Sequence, residues 1–549
     1  MEKDTKEKRQ QTDIAGGKLF NFRPVFFIAV FLATGIAFAY FHLLYGVSAW
    51  WSLCLLPITC APFIFCRSIV RAKRILLAAF ALTAAFFIGF FLFAAKVNDF
   101  SDVGVYEGDY AVVGRVIGKE KTDNGWRLTL DDVYIDGRAE DNELIAYVSE
   151  QDGYAIKLSD ELVLNGAVST RSHWSNKLAF ATCALGGDEL YDIQADGCVV
   201  TGHRFDLFLA VRERMQTVLY AGMDETPAAV TVAVLTGDTS GIESGLLKNI
   251  RYGGIAHIFA VSGLHIGALF AACTWLIDKT KLRSAPKPAR FILTSAVLLF
   301  YGGVCGYSPS VVRAITMCLV LYASNLIGIG SDSLENIGAA AILVLAFSPT
   351  SLLEVGFQLS FAACLGIALL AKPMQRAAYG IGARFSKRSD GEVAYKDAPP
   401  TLTQSAVRSV VSFLSVTLAA QIFTTPILLY AFGYVSVWSL FLNCLFVPLI
   451  GAVFSVLLFL AFVACLLPVS VVKYVLFLPN VLLTAVLLLF ELFDFSTAAV
   501  SGLRVTWQTF VFYYLACTFA TDKWNLSRGV KIFLFCVCAI ALCIISCFF

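Results

Sequence analysis

The residues best suited to chemistry sit in a stretch where an apolar chain rarely keeps them. Tyr252–Phe270 reads YGGIAHIFAVSGLHIGALF and holds two histidines, a serine and four glycines. Lipid penalises loose polar groups, so such residues persist mainly where they face protein or a wet cavity. On one continuous helix His257 and His265 would lie about 80° apart on one flank, with Ser262 between them. A metal site would need a third and fourth ligand, and none is spaced to join the two histidines. A Ser262–His265 nucleophilic pair would need an orienting acid, and none lies nearby in sequence. Hydrogen bonding along a polar path therefore fits best, with no catalytic residue, metal or cofactor. Gly253, Gly254, Gly263 and Gly267 read as sites of close helix packing or of a break in the helix.

The surrounding chain is built for lipid. Of its 549 residues, 58% are hydrophobic and 15% charged. Its mean hydropathy is +0.74. Many runs exceed the roughly 18 residues that suggest a membrane span. We expect a polytopic α-helical membrane protein with about eleven to thirteen crossings. Most of the 16 cysteines lie in or beside apolar runs, where Cys is a small hydrophobe, and no CxxC or Cys/His zinc spacing occurs.

Residues 1–23 read as a polar, disordered cytoplasmic tail, and residues 24–96 as three spans: Pro24–Tyr45, Trp50–Cys66 and Ile75–Ala95. Arg67, Arg71, Lys73 and Arg74 carry no acid among them, so the positive-inside rule puts that loop and the N-terminus in the cytoplasm. Residues 97–204 then form an extracytoplasmic insertion. Its β-branched, partly alternating runs, broken by turn signals such as Asp136-Gly137, suit a small OB-like barrel. Arg115, Lys119, Lys121, Trp126 and Arg127 could make an outer nucleic-acid contact of cations and a stacking ring. Against this, acids outnumber bases in the insertion by about two to one, and Trp126 could simply fill a hairpin. Cys183 and Cys198, alone in this region, suit a disulfide in an oxidising compartment, the alternative being two thiols.

Residues 205–226 have the pattern of an amphipathic helix lying on the interface, with Arg212, Glu213 and Arg214 on its polar side. The basic segments 279–290 and 372–404 read as cytoplasmic, the second as a flexible linker with SKRSDGE and APP. The run 438–467 suits one tilted span, or a span with a re-entrant piece at Asn443 and Pro448; the alternation of basic loops favours one crossing. Residues 521–549 read as a cytoplasmic loop and a last span.

Five motifs follow one another: LTGDTSGI (235–242), YGGIAHIFAVSGLHIGAL (252–269), GYSPSVVRAITM (306–317), LLEVGFQLSFAACLGI (352–367) and QIFTTPILLYAFG…LFLNCLFVPL (421–449). As an ordered set they resemble the competence domain of the ComEC family, here over residues 227–520. The N-terminal spans and β insertion also resemble that family's N-terminal region. The resemblance implies an inner-membrane channel that carries one strand of transforming DNA into the bacterial cytoplasm. It also implies a separate nuclease, a DNA receptor and a cytoplasmic helicase or ATPase, and leaves open a homo-oligomer of the chain. Matched motif by motif, the implied path residues are Asp238, His257, Ser262, His265, Arg313, Gln358 and Asn443. Arg313 would offset phosphate charge, or else pair with an acid such as Glu354 or Asp238. The C-terminal metallo-β-lactamase-like domain of many ComEC proteins carries an HxHxDH motif, and no HxH occurs among the five histidines here. Strand degradation is therefore expected from another protein. Transport of another anionic polymer or envelope precursor, or a docking role in a membrane assembly, are the alternatives.

Overall fold

The computed structural model describes residues 23–45, 69–99, 106–122, 125–140, 142–170, 191–258, 261–328, 332–386, 402–436, 438–491, 499–501, 507–519 and 537. The expected second span Trp50–Cys66 and the last run, residue 537 apart, lie outside these residues, as does the tail before Arg23. Two helices, α1 (Pro24–Tyr45) and α2 (Ile69–Asp99), lead into a β domain, and a helical body follows. Seven of the described helices or helix runs are long and apolar enough to cross a membrane. The chain is a multi-pass helical membrane protein with an inserted small β domain.

The β domain is a closed ring. Strand β1 (Glu107–Thr122) pairs with both β2 (Gly125–Ile135) and β5 (Asp160–Thr170). Strand β6 (Tyr191–His203) lies between β5 and β4 (Leu144–Val148), parallel to β4, and β4 returns to β2. Short β3 (Arg138–Glu140) extends β2. Two irregularities in β1, at Val113/Arg115 and Val116/Gly118, add the curvature that lets one strand serve two neighbours. A short helix, α3 (Glu150–Ala155), sits between β4 and β5 and is capped by Ser149 Oγ accepting from the Asp152 N–H. This is the OB arrangement expected. Alternation in β5 sends Leu162, Leu164 and Val168 inward to meet Val112, Leu128, Leu130 and Ile193.

The helical body begins with α4 (Leu207–Gly222), whose N-cap Asp206 accepts from the Phe208 and Leu209 N–H groups. This helix is docked rather than lying alone on an interface: Met215, Val218 and Leu219 are buried in the main core. Arg212 and Arg214 also point to different partners, because residues two apart on a helix face away from each other. Arg214 donates to the carbonyls of Cys465 and Leu467. Next comes α5 (Glu225–Thr236), apolar all round and buried from Pro227 to Thr236. Tyr301 Oη donates to the Leu235 carbonyl at 2.7 Å, satisfying the end of α5.

Helices α6 (Ser244–Tyr252), α7 (Gly263–Lys279), α8 (Lys287–Val304), α9 (Pro309–Ile327), α10 (Ser333–Phe347) and α11 (Val355–Gly366) follow. The histidine stretch is thus not one helix. It breaks after Tyr252, makes a single 3-10 turn at Ala256–Ile258, and restarts at Gly263. Arg23, expected in the disordered tail, is buried and ion-paired to Asp332 at 2.6 Å, and the Val25 N–H donates to Glu335, so α1 and α10 start side by side. From α11 the chain passes through a π turn, Ile367–Ala371, directly into α12 (Lys372–Ser386). The expected linker 372–404 is therefore helical in its first half, and residues 387–401 are outside the described set. Then come α13 (Leu402–Phe432), β7 (Tyr434–Ser436), α14 (Ser439–Cys465), α15 (Val469–Glu491), β8 (Ala499–Ser501, paired with β7) and α16 (Trp507–Phe519). A single helix fills the 438–467 region, so no re-entrant piece interrupts it.

Candidate functional site in the helical body

The tightest local geometry carries Arg313. Gly306 and Tyr307 both adopt left-handed backbone (φ 67° and 48°), turning α8 back into α9 within a few residues. Pro309 starts α9, and Ser310 Oγ donates to the Val261 carbonyl, tying this hairpin to the approach of α7. Arg313 follows one turn into α9 and is buried. Its Nη1 donates to Glu354 Oε2 at 3.4 Å, and its buried Nε has no hydrogen-bond partner. Glu354 is the N-cap residue of α11, held by Ser351 Oγ donating to Oε1 at 2.9 Å. Gly356 makes the approach possible, since a Cβ there would lie 3.0 Å from Arg313 Nη2.

A cleft of about 590 Å³ opens beside this pair. Arg313, Glu354, Ser348, Ser351 and Tyr307 line its polar part. Val312, Thr316, Leu319, Val320 and Ala323 of α9 face Leu343, Val344 and Phe347 of α10 along the rest.

The other expected residues have separate settings. Asp238 accepts from Gln216 Nε2 at 2.8 Å, pairs with Arg212 at 3.5 Å, and takes the Ser240 N–H on Oδ1. Ser262 caps α7, and its N–H donates to His265 Nδ1 at 3.1 Å. That contact puts the ring proton of a neutral His265 on Nε2. His265 is fully buried and stacks on Phe454, with centroids 4.4 Å apart. A histidine at the third helical position thus does the capping work usually given to Glu or Gln. His257 is exposed on the 3-10 turn, away from the α7 helix that holds His265. Gln358 Nε2 donates to the Leu352 carbonyl, closing the turn before α11.

Asn443, near the start of α14, is buried with its Oδ1 unpartnered. Beside it lies a junction that sequence reasoning missed. Gly254 (φ +75°) packs against Ser436 and Ser439, and a Cβ there would meet Ser439 Cβ at 2.6 Å. Gln421 donates to Ser439 Oγ, Tyr252 packs on Tyr434, and buried Ser436 Oγ has no partner. The signal was present in part: Gln421 is a polar break in an apolar run, but Ser436 lies between motifs with nothing to mark it. A Cβ at Gly253 would lie 3.2 Å from Leu442 Cδ1. A Cβ at Gly263 would come no nearer than 3.8 Å to Ala314, and one at Gly267 would meet nothing within 4 Å beyond its own helix.

On the barrel, the expected basic surface is neutralised from within. Arg115 pairs with Asp131 at 3.1 Å, Asp132 at 3.5 Å and Asp206 at 3.6 Å. Lys121 pairs with Glu150, and Arg127 with Glu120. Lys119 donates to the Ile156 carbonyl and lies over the Trp126 ring, 4.3 Å from its centroid. Burial pushes the Lys119 ammonium pKa down, opposed by Asp160 and Glu213. Trp126 packs over Gly153, where a Cβ would lie 1.9 Å from the ring, so the indole fills the space between β2 and α3. Cys198 packs its thiol against the barrel core, and Cys183, the other half of the expected bridge, lies outside the described residues. Burial raises the Cys198 thiol to about 11. Among the described residues no three His, Cys, Asp or Glu side chains gather as a metal site.

Residues 234–526 match the Competence protein family. The chain belongs to this family. The ordered motifs from LTGDTSGI onward fall inside the matched span, so the ComEC resemblance holds. ComE operon protein 3 of Bacillus subtilis (strain 168) is 29% identical over 256 residues, covering 46% of this chain and 29% of that protein. Competence protein ComA of Neisseria gonorrhoeae is 30% identical over 134 residues, covering 24% of this chain and 19% of its own length. The matched part therefore spans less than a third of either relative. No solved structure matches.

Proposed function

We propose that this chain is a conduit of the DNA-uptake machinery that moves a single strand of transforming DNA across the bacterial cytoplasmic membrane. The observation that carries the reading is the competence match over 234–526, within which several buried polar groups lack hydrogen-bond partners. Arg313 Nε, Asn443 Oδ1 and Ser436 Oγ are such groups, and lipid-embedded polar atoms without partners are costly unless a wet path or a solute reaches them. Asp238, Ser262, His265 and Gln358 hold the backbone turns around that path, and His257 is exposed beside it. Arg313, with one long contact to Glu354, is the cation a passing phosphate can take over.

The basic loops orient the chain with its N-terminus in the cytoplasm and the barrel outside. The nuclease, receptor and motor are separate proteins on this reading, and this chain performs no bond-breaking chemistry. The barrel's paired cations favour a second role for that domain, docking another protein rather than gripping DNA. The test is uptake of labelled DNA into a DNase-protected pool in a deletion strain of a competent host. The strain carries wild type, Arg313→Ala or Asn443→Ala at matched membrane levels. Wild type restores uptake and the variants lose at least about tenfold. Uptake that deletion never impaired would refute the reading.

A further inference from the structure

The Arg313 cleft has the shape and polarity of an amphiphile. Its apolar wall takes positions 312, 316, 319, 320 and 323 of α9, a single helical stripe, facing Leu343, Val344 and Phe347 of α10. Arg313 and Ala323 are ten residues apart, about 15 Å along the helix. That is about half of a ~30 Å hydrocarbon core, the depth of one leaflet. Arg313 itself is the fifth residue of α9, about 6 Å inside the helix end, where a leaflet's phosphates begin. Val312, Leu343 and Phe347 are exposed at the surface of the chain, which in a membrane faces lipid.

The polar end carries both signs of charge. Arg313 is 5% exposed with an unpartnered Nε, and Glu354, one third exposed, stands 3.4 Å from it. Ser348 and Ser351 add hydroxyls. An anion alone would leave the site with net negative charge beside Glu354. A headgroup with a phosphate next to an ammonium answers both: phosphate to the guanidinium, ammonium to the carboxylate.

We propose that this cleft binds a membrane phospholipid with a phosphoethanolamine headgroup, one acyl chain lying along α9 and α10. Phosphodiester chemistry is shared by lipid and DNA; the apolar wall selects lipid, since a nucleotide chain would set charged phosphates against Leu319 and Val320. Headgroup phosphate and strand phosphate would compete for the one guanidinium, so the two readings meet at Arg313 and are separate elsewhere.

The experiment uses the full chain, purified in detergent and delipidated, with native mass spectrometry during titration by phosphatidylethanolamine or phosphatidylglycerol. Wild type holds one phosphatidylethanolamine about tenfold more tightly than phosphatidylglycerol. Glu354→Gln reverses the order, because the guanidinium then faces the ligand uncompensated. Ala323→Trp fills the groove and weakens both lipids without changing their order. These two variants keep Arg313, so they report even if Arg313→Gln folds poorly. Equal binding of both lipids in wild type and variants would mean annular lipid only, and the proposal fails. It fails also if a short oligothymidylate binds through Arg313 while neither lipid does. No uptake step enters the assay, so its failure leaves the conduit reading standing, and the reverse holds too.

Discussion

In the barrel, the Glu140 carboxylate is 4% exposed, accepts from Tyr106 Oη at 2.6 Å and Tyr191 Oη at 3.0 Å, and has Arg138 Nε at 3.4 Å. In the helical body, Arg313 is buried as deeply but holds one 3.4 Å contact and an idle Nε. Both charges were removed from water, and the cost of that is several kcal/mol unless partners replace it. The barrel supplies partners around Glu140, which makes it a structural group. The body leaves Arg313 short beside an open cleft, as suits a group that meets something from outside. The contrast in the expected contact residues is in their acids: both leave Nε unpartnered, but Arg115 meets three carboxylates and Arg313 meets one.

The contrast can be broken most sharply at Glu140. Removing both phenol hydroxyls with Tyr106→Phe and Tyr191→Phe strands a buried carboxylate and destabilises the barrel by about 3–5 kcal/mol. Hydrogen exchange of the β-strand peptides in the full chain reads this directly. A change below about 1 kcal/mol would show that Glu140 is not held as the geometry says. His265 lies between the extremes. His265→Ala removes the cap of α7 and costs about 1–2 kcal/mol, while His265→Gln, able to reach back to the Ser262 N–H, recovers part of it. Equal losses would mean that only the stack on Phe454 matters.

Smaller still is a pH effect confined to the barrel. Burial, then the hydrogen bond to Glu140, raises the Tyr106 phenol from 10 to about 12. The neutral phenol is favoured by folding, so this contribution is full below pH 10 and lost as pH rises towards 12. Exchange of β1 should accelerate across that window in wild type and less so in Tyr106→Phe. The smallest stability change belongs to Arg313→Gln, under about 1 kcal/mol, because Glu354 is partly exposed and its long pairing contributes little. Melting of the purified variant checks this. A large loss would place Arg313 with Glu140 as a structural charge.

What could be read in advance follows the range of the interactions. Pro24–Tyr45 was legible to the residue because hydropathy and the Pro24 start are local. The barrel strands were legible because alternation over a few residues reports one buried face. The candidate site was legible only as residue types. Spacing alone puts His257 and His265 on one helix flank, yet the helix breaks at the YGG turn and restarts at Gly263, where the Ser262 cap rather than a hydropathy value sets the boundary. Glu354 was among the acids named for Arg313 and is the one that meets it, while Asp238 is held by Gln216 and Arg212.

Sequence alone determined that this chain lives in a membrane, that a small barrel is inserted into it, and that its ordered motifs belong to the competence family. Composition, period-two alternation and motif order are properties of neighbours along the chain. Only the tertiary structure decided which cations are spent on carboxylates, as Arg115 is on Asp206, and that a cleft opens beside Arg313. Those outcomes depend on distances between residues tens of positions apart, and such distances exist only once the helices have packed.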